Sequence, residues 1–180
     1  GPRSPGGRIA ELMSSQPGPL DRAADLRAEP DVIDRLRAEP GTRVVVVRDG
    51  RARMRDDRML RVSPDTVGDA QWALLGRDPD GTPLLLASAP PRTESIDAAP
   101  DEMWLGVRDT GGMLDAHEAE LFVTAIALAA WLAEHRFCPA CGGALDFTQA
   151  GWARRCSGCE REHFPRTDPA VIVAVESPDG

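Results

Sequence analysis

The 180-residue chain contains no lysine, so all 21 of its basic side chains are arginines. It also has no run of 18 apolar residues and no apolar segment of the secretory type near its start, and we therefore expect neither a membrane span nor secretion. Its net charge of −8 counts against the whole chain lying along nucleic acid, where a basic face is expected. These absences predict a cytoplasmic protein, and the 42% hydrophobic content is sufficient for a packed core.

Cysteine is scarce as well, and the four cysteines form two Cys-x-x-Cys pairs, Cys138/Cys141 and Cys156/Cys159. Two thiolates on each of two tight turns can complete a tetrahedron around Zn²⁺, and the spacing is close to the usual two-pair zinc pattern. Two disulfides, four unrelated buried thiols, or iron in a rubredoxin-like site are the alternatives. A site of four thiolates has no open position, so the metal is predicted to be structural.

The residues around the two pairs suggest how such a zinc ribbon is supported. Gly142 and Gly158 are expected to relax the backbone of the turns and to point N–H groups inward. Phe147 and Trp152 are expected to cover the ribbon's small core. His135 could be a fifth ligand, but it is better interpreted as a residue at the end of a helix. The negative charge of a zinc tetrathiolate needs donors nearby, and four arginines are candidates: Arg154, Arg155, Arg161 and Arg166.

The N-terminal part of the chain predicts a small antiparallel sheet. Residues 1–19 are rich in glycine, proline and serine and are interpreted as a flexible lead-in. The pentapeptide Leu-Arg-Ala-Glu-Pro occurs at 26–30 and again at 36–40, which predicts two short helices that each end at a proline. Strands are predicted at 44–47, 51–55, 71–75, 83–87 and 104–107.

A long core helix is predicted from Ala116 to His135. Asp115 is a good N-cap, and Glu118 three residues later would complete a capping box. Between Leu121 and Ala133 every residue except one threonine is apolar, which indicates a helix that is buried on most sides. The apolar segment is too short to span a bilayer.

The last predicted element is a β-branched strand at residues 170–175, followed by a turn. A strand without a return strand would leave an exposed sheet edge. We therefore expect its partner strand to come from further residues or from another molecule.

Three stretches together resemble the bacterial NAD(H) diphosphatases of the Nudix superfamily. The resemblance is strong from Leu105 to Val175, where Leu105-Gly106-Val107-Arg108 and the apolar helix also match, and it is looser from Val44 to Leu86. The stretches are Phe137-Cys138-Pro139-x-Cys141-Gly142, Gly151-Trp152-x-x-x-Cys156-x-x-Cys159 and His163-Phe164-Pro165-Arg166-x-Asp168-Pro169-Ala170-Val171-Ile172.

The resemblance implies an α+β fold in three parts that follow the lead-in at 1–19. These are a Nudix-like N-terminal domain at 20–136 with an antiparallel sheet and a long core helix, a zinc ribbon at 137–166, and the first strand of a Nudix domain at 167–180. Members of the family cleave the pyrophosphate of NAD(H) to nicotinamide mononucleotide and AMP with Mg²⁺ or Mn²⁺. Some also remove NAD caps from RNA, and they commonly act as homodimers.

The catalytic motif of that family, G-x5-E-x7-R-E-x-x-E-E-x-G, does not occur in the 180 residues, which contain no Glu-Glu pair. Pyrophosphate cleavage needs clustered carboxylates to hold metal ions. The acidic groups Asp56-Asp57 and Asp101-Glu102 are interpreted as solvated turns. The chain therefore carries no predicted catalytic residue, and we expect it to be inactive alone.

Two substrate contacts can be carried over from the resemblance, Arg108 for phosphate and Phe164 for stacking on a base. The family usually has tyrosine where this chain has Phe164. A glutamate that contacts substrate in some members falls at Gly151, which puts that contact in doubt. An alternative function is a non-enzymatic zinc-ribbon module that binds RNA or a protein partner.

Overall fold

The computed structural model of the chain describes residues 20–91, 99–110 and 112–165. Its helices and strands are α1 Val32–Ala38, β1 Arg43–Arg48, β2 Arg51–Arg55, β3 Arg58–Met59, a 3-10 turn Pro64–Thr66, β4 Gln71–Arg77, β5 Pro83–Ser88, β6 Glu102–Leu105, α2 Ala116–Glu134, β7 Leu145–Thr148, a second 3-10 turn Gln149–Gly151, β8 Ala153–Cys156 and β9 Glu162–His163. The predicted strand at 170–175 lies outside the described residues.

The larger sheet has the strand order β3-β2-β1-β5-β4, and β6 pairs with β2. It is mostly antiparallel, as expected, but β1 and β5 run parallel, with Val44 opposite Leu85 and Val46 opposite Ala87. Both strands are continuous apolar runs, which suits positions that are buried on both faces. Each therefore lies in the middle of the sheet, and both hairpins extend outward from this central pair.

The two helices cover opposite faces of the sheet. Leu121 and Leu128 of α2 pack with the β1 residue Val45 in the larger core. On the other face, Leu36 of α1 packs in a smaller core that contains Val44. By length and composition alone α2 could cross a membrane, but 56% of its apolar segment is buried inside the protein. The predicted long core helix is thus confirmed.

Several local predictions differ from the structure. Residues 26–30 form hydrogen-bonded turns, in which Leu26 N donates to Ala23 O at 3.0 Å, and not the first of two helices. The Arg27 guanidinium donates to Arg22 O and so competes for the local backbone. The strand predicted at 104–107 begins and ends two residues earlier. Strand β3 was not predicted, because two residues give no periodic signal.

Candidate metal centre and its junction with the sheet

The four cysteine sulfurs meet at one point of the ribbon. Their Sγ atoms all lie within 4.8 Å of one another, with Cys138 and Cys159 3.7 Å apart and Cys141 and Cys156 3.4 Å apart. A tetrahedron with Zn–S bonds of about 2.3 Å has edges of about 3.8 Å. The arrangement therefore fits a single tetrahedral ion, and it supports a structural zinc.

Backbone turns set the sulfurs in place. In the first turn Gly142 N donates to Cys138 O at 2.8 Å, and Gly142 has a φ of 76°, as its residue type predicts. In the second turn Glu160 N donates to Cys156 O at 3.0 Å, and the left-handed residue is Glu160 with a φ of 59°. The expectation for Gly158 is met only in part, because its N–H points at Cys156 Sγ at 3.3 Å but its φ is not left-handed.

Among residues 137–165, the donors to the cysteine sulfurs are backbone N–H groups. The N–H of Cys159 lowers the pKa of Cys156 to about 6. The N–H of Gly158 acts in the same direction, and burial opposes both. Gly143 N donates to Cys141 Sγ at 3.4 Å. These donors favour the ionised sulfurs that a metal needs, but at Cys141 the effect of the Gly143 N–H is outweighed by the neighbouring sulfurs of Cys156 and Cys159, which raise the pKa of Cys141 to about 12.

Two of the four arginines that could offset the zinc charge have other partners. Arg154 is buried and donates to Leu132 O at the end of α2, while Arg155 pairs with Glu160 at 3.4 Å. Arg161 is exposed, and Arg166 lies outside the described residues. His135 is the C-cap of α2, and its ring stacks on Trp131. It is not among the four ligands.

Trp152 joins the ribbon to the larger sheet. Its Nε1 donates to Leu74 O at 2.6 Å, and its ring is part of the core beneath α2. The Arg27 guanidinium lies 3.9 Å from the ring centroid, and burial, followed by the neighbouring Arg22, lowers the pKa of Arg27 to about 10. The expectation that Trp152 covers the ribbon's own core is therefore wrong. Leu74 lies on edge strand β4, so the ribbon covers one edge of the sheet.

Gly151 permits this close approach. It has a φ of 89°, and a Cβ at this position would lie 2.5 Å from Ala73 Cβ and 3.0 Å from Trp72 O. No side chain fits there without displacing β4. A glutamate contact to substrate from position 151, as in some family members, is thus incompatible with the packing of this chain.

Phe147, the other aromatic residue between the cysteine pairs, does not cover the ribbon's core either. Its side chain is exposed, and the Arg154 guanidinium lies 4.0 Å from its ring centroid. Burial, followed by the charge of Arg136, lowers the pKa of Arg154. The ribbon's own core is limited to Leu145 and the buried pair of cysteines.

A buried ion cluster ties the start of α2 to the sheet. Asp115 Oδ1 accepts from Glu118 N at 2.8 Å, but the Glu118 carboxylate does not return to the cap. It accepts instead from Met59 N at 2.6 Å and from Arg61 at 2.7 Å, and Arg61 also pairs with Asp78 at 3.0 Å. Only half of the predicted capping box forms, because a buried arginine is the stronger partner for this carboxylate.

The two acidic pairs predicted to be solvated turns, Asp56-Asp57 and Asp101-Glu102, differ in their exposure. Asp56 and Asp57 lie in an exposed turn, as predicted. The interpretation of Glu102 as a solvated turn is wrong, because its side chain is only 5% exposed and pairs with Arg53 at 2.6 Å and with Arg55 at 3.1 Å.

The two predicted substrate contacts lie in different environments. Phe164 is 54% exposed and lines a surface cavity of about 700 Å³, together with Trp131, His135 and His163. Arg108 is exposed in a turn after β6, not in a strand, and is not among the residues that line this cavity. The described residues therefore do not bring the two contacts into one pocket.

The structure is that of a zinc-ribbon protein, in which a four-cysteine ribbon packs on a mixed sheet. The comparisons with known proteins identify the family that the chain resembles. Residues 133–164 match the NADH pyrophosphatase zinc ribbon domain. NAD-capped RNA hydrolase NudC of Deinococcus radiodurans is 29% identical over 166 residues, which are 90% of this chain and 54% of that protein.

Two shorter matches have a higher identity. NudC of Stutzerimonas stutzeri is 31% identical over 80 residues, or 44% of this chain and 29% of that protein. NAD-capped RNA hydrolase NUDT12 of Homo sapiens is 35% identical over 75 residues, or 37% of this chain and 16% of that protein. The chain thus matches about half the length of its relatives or less. These matches confirm the resemblance to the NADH pyrophosphatase family.

Proposed function

We propose that this chain forms the N-terminal domain and zinc ribbon of a hydrolase that cleaves the pyrophosphate of NAD(H) to nicotinamide mononucleotide and AMP, and that also removes NAD caps from RNA. The observation that carries the proposal is the convergence of four cysteine sulfurs within 4.8 Å inside the segment that matches the NADH pyrophosphatase zinc ribbon. The relatives named as NAD-capped RNA hydrolases support the same substrates.

Within this proposal the described residues have a structural role. Zinc fixes the two cysteine turns, Trp152 and Gly151 hold the ribbon against β4, and this unit supports a catalytic domain that contributes the carboxylates. Mg²⁺ or Mn²⁺ bound there would neutralise the charge that develops on the pyrophosphate. The proposed boundaries are a lead-in at 1–19, the N-terminal domain at 20–136, the ribbon at 137–166 and the beginning of the catalytic domain at 167–180.

Two buried carboxylates of the N-terminal domain already form ion pairs with arginines. This supports the expectation that the chain is inactive alone. Glu118 is 1% exposed and bound to Arg61, and Glu102 is bound to Arg53 and Arg55. A divalent cation would have to displace these guanidinium groups to use either carboxylate. We propose Phe164 as a stacking surface for a base and Arg108 as a phosphate contact, and no catalytic residue within the 180.

The experiment is AMP release from NADH and from NAD-capped RNA, followed by chromatography in the presence of Mg²⁺ or Mn²⁺. The 180-residue chain is expected to give no AMP, whereas a longer product of the same gene that carries the catalytic motif is expected to turn over both substrates. Steady turnover by the 180-residue chain would refute the assignment of roles. A coding sequence that lacks the motif beyond residue 180 would refute the hydrolase.

The substrate contacts are tested in that longer product. Arg108→Ala is expected to raise KM for NADH, because a phosphate loses a charged partner. Arg58→Ala is the matched control, since Arg58 is also an exposed arginine of the N-terminal domain. Equal KM values for the two variants would exclude the phosphate contact.

We further propose that the longer protein is a cytoplasmic homodimer, as in the family that it resembles. Sedimentation equilibrium and cell fractionation test these points, and a monomer or a membrane-associated protein would contradict them. The alternative of an RNA-binding ribbon has less support. Residues 136–165 carry four arginines against three acidic residues before the charge of the zinc thiolates is added, and Arg154 is buried.

A further inference from the structure

The junction between the ribbon and the N-terminal domain contains a second cavity, of about 710 Å³, which shares no lining residue with the one beside Phe164. The turn before α1 forms one wall, and β7 with the following 3-10 turn forms the other. Its size lies within the range of ordinary small-molecule sites.

Two aromatic rings face this cavity, and each is backed by an arginine that does not line it. The Arg37 guanidinium lies 4.4 Å from the ring centroid of Trp72, and that of Arg154 lies 4.0 Å from the ring centroid of Phe147. Phe147 is 42% exposed, so the side of its ring that faces away from Arg154 is open to a flat partner, whereas Trp72 also packs against the core around Leu36. The pair thus resembles the stacking surfaces on which proteins hold nucleobases.

Polar groups and strained backbone occupy the same wall. The Thr148 hydroxyl oxygen is buried and has no hydrogen-bond partner among the residues that the structure describes. Gln149 and Ala150 follow with φ values of 49° and 51°, and Asp31 across the cavity has a φ of 56°. Left-handed backbone at three non-glycine residues around one cavity is the kind of strain that clusters at ligand sites.

The charge of the lining favours a neutral ring over a phosphate. Three carboxylates, those of Glu29, Asp31 and Asp34, line the cavity against the single guanidinium of Arg27. An anionic group inside the cavity would be repelled, whereas the exocyclic amino group of a base can donate to a carboxylate or to the Gln149 carboxamide oxygen.

We propose that this junction cavity binds a nucleobase, supplied either by a free nucleoside or by a nucleotide within an RNA strand. The proposal does not depend on the hydrolase function, because it rests on residues that lie apart from Phe164.

The test is equilibrium binding of adenosine to the zinc-loaded 180-residue chain by titration calorimetry. Phe147→Leu keeps an apolar side chain and removes the ring, and it is expected to weaken binding by roughly five- to a hundredfold. Gln149→Gly, which suits the left-handed backbone, is expected to weaken it less. Phe137→Leu is the matched control, because Phe137 is an exposed phenylalanine of the same ribbon outside the cavity and its loss should leave binding unchanged.

Further ligands separate the two sources of the base. If hexa-adenylate binds more tightly than adenosine, and if Phe147→Leu also weakens its binding, the natural source of the base is an RNA strand. If hexa-adenylate binds no more tightly than adenosine, the source is a free nucleoside. Three results would overturn the proposal: no binding of adenosine at millimolar concentration, equal binding of ribose, or equal affinities for Phe147→Leu and the parent.

Discussion

Replacing Gly151 by alanine is expected to loosen the contact between the ribbon and the sheet. Two costs add in this variant. A φ of 89° is left-handed, which costs an alanine about 1–2 kcal/mol. The new methyl group would also lie 2.5 Å from Ala73 Cβ and 2.9 Å from Ala73 Cα, and such overpacking costs about 1–3 kcal/mol more. The free energy of unfolding should therefore fall by about 2–5 kcal/mol.

Gly81→Ala separates the two costs. Gly81 has a φ of 84°, but nothing lies within 4 Å of the position that its Cβ would occupy. This control should cost only the backbone term of about 1–2 kcal/mol. Adding Ala73→Gly to Gly151→Ala should recover part of the loss, with a coupling free energy of roughly 0.5–3 kcal/mol.

Urea unfolding of the zinc-loaded protein, followed by circular dichroism, measures these differences. If Gly151→Ala costs no more than Gly81→Ala, the close packing of the ribbon on β4 is wrong. If Ala73→Gly gives no recovery in the double variant, the strain does not arise at the Ala73 methyl group.

Two further predictions concern buried polar groups. Trp152→Phe removes the donor to Leu74 O together with the five-membered ring of the indole, so it should reduce the free energy of unfolding by at least about 1–3 kcal/mol. An unchanged urea midpoint would show that this hydrogen bond is not formed. Glu118→Gln leaves the partly buried Arg61 with Asp78 as its remaining acidic partner and weakens charged hydrogen bonds, so it should cost about 1.5–3 kcal/mol in the same assay. A cost below about 1 kcal/mol would mean that the Glu118–Arg61 pair is solvated.

The clustering of the four cysteines could be predicted from the sequence because its signal is local. Each Cys-x-x-Cys pair defines one turn, and Gly142 takes the left-handed conformation that its residue type predicts. Five of the six strands of the larger sheet were also predicted, since runs of apolar or alternating residues mark them, whereas the two residues of β3 carry no such signal. The parallel pairing of β1 with β5 has no comparable signal, because residues about forty positions apart meet only when the whole sheet forms.

The junction could not be predicted for a similar reason. An indole between two metal-binding turns can pack on the ribbon or on a neighbouring domain, and only the position of β4 decides that Trp152 does the latter. Likewise, Asp115 and Glu118 satisfy the local rule for a capping box, yet Arg61, 57 residues away, takes the glutamate. Sequence rules describe neighbours along the chain, whereas these contacts depend on tertiary packing.

Metal analysis of the purified chain tests the central claim most directly. The four sulfurs should hold one zinc ion per chain, and removal of the ion by a chelator should release the two cysteine turns, with faster amide hydrogen exchange from Cys138 to Cys159. A protein that contains no bound metal and keeps the same exchange rates after chelator treatment would contradict the account.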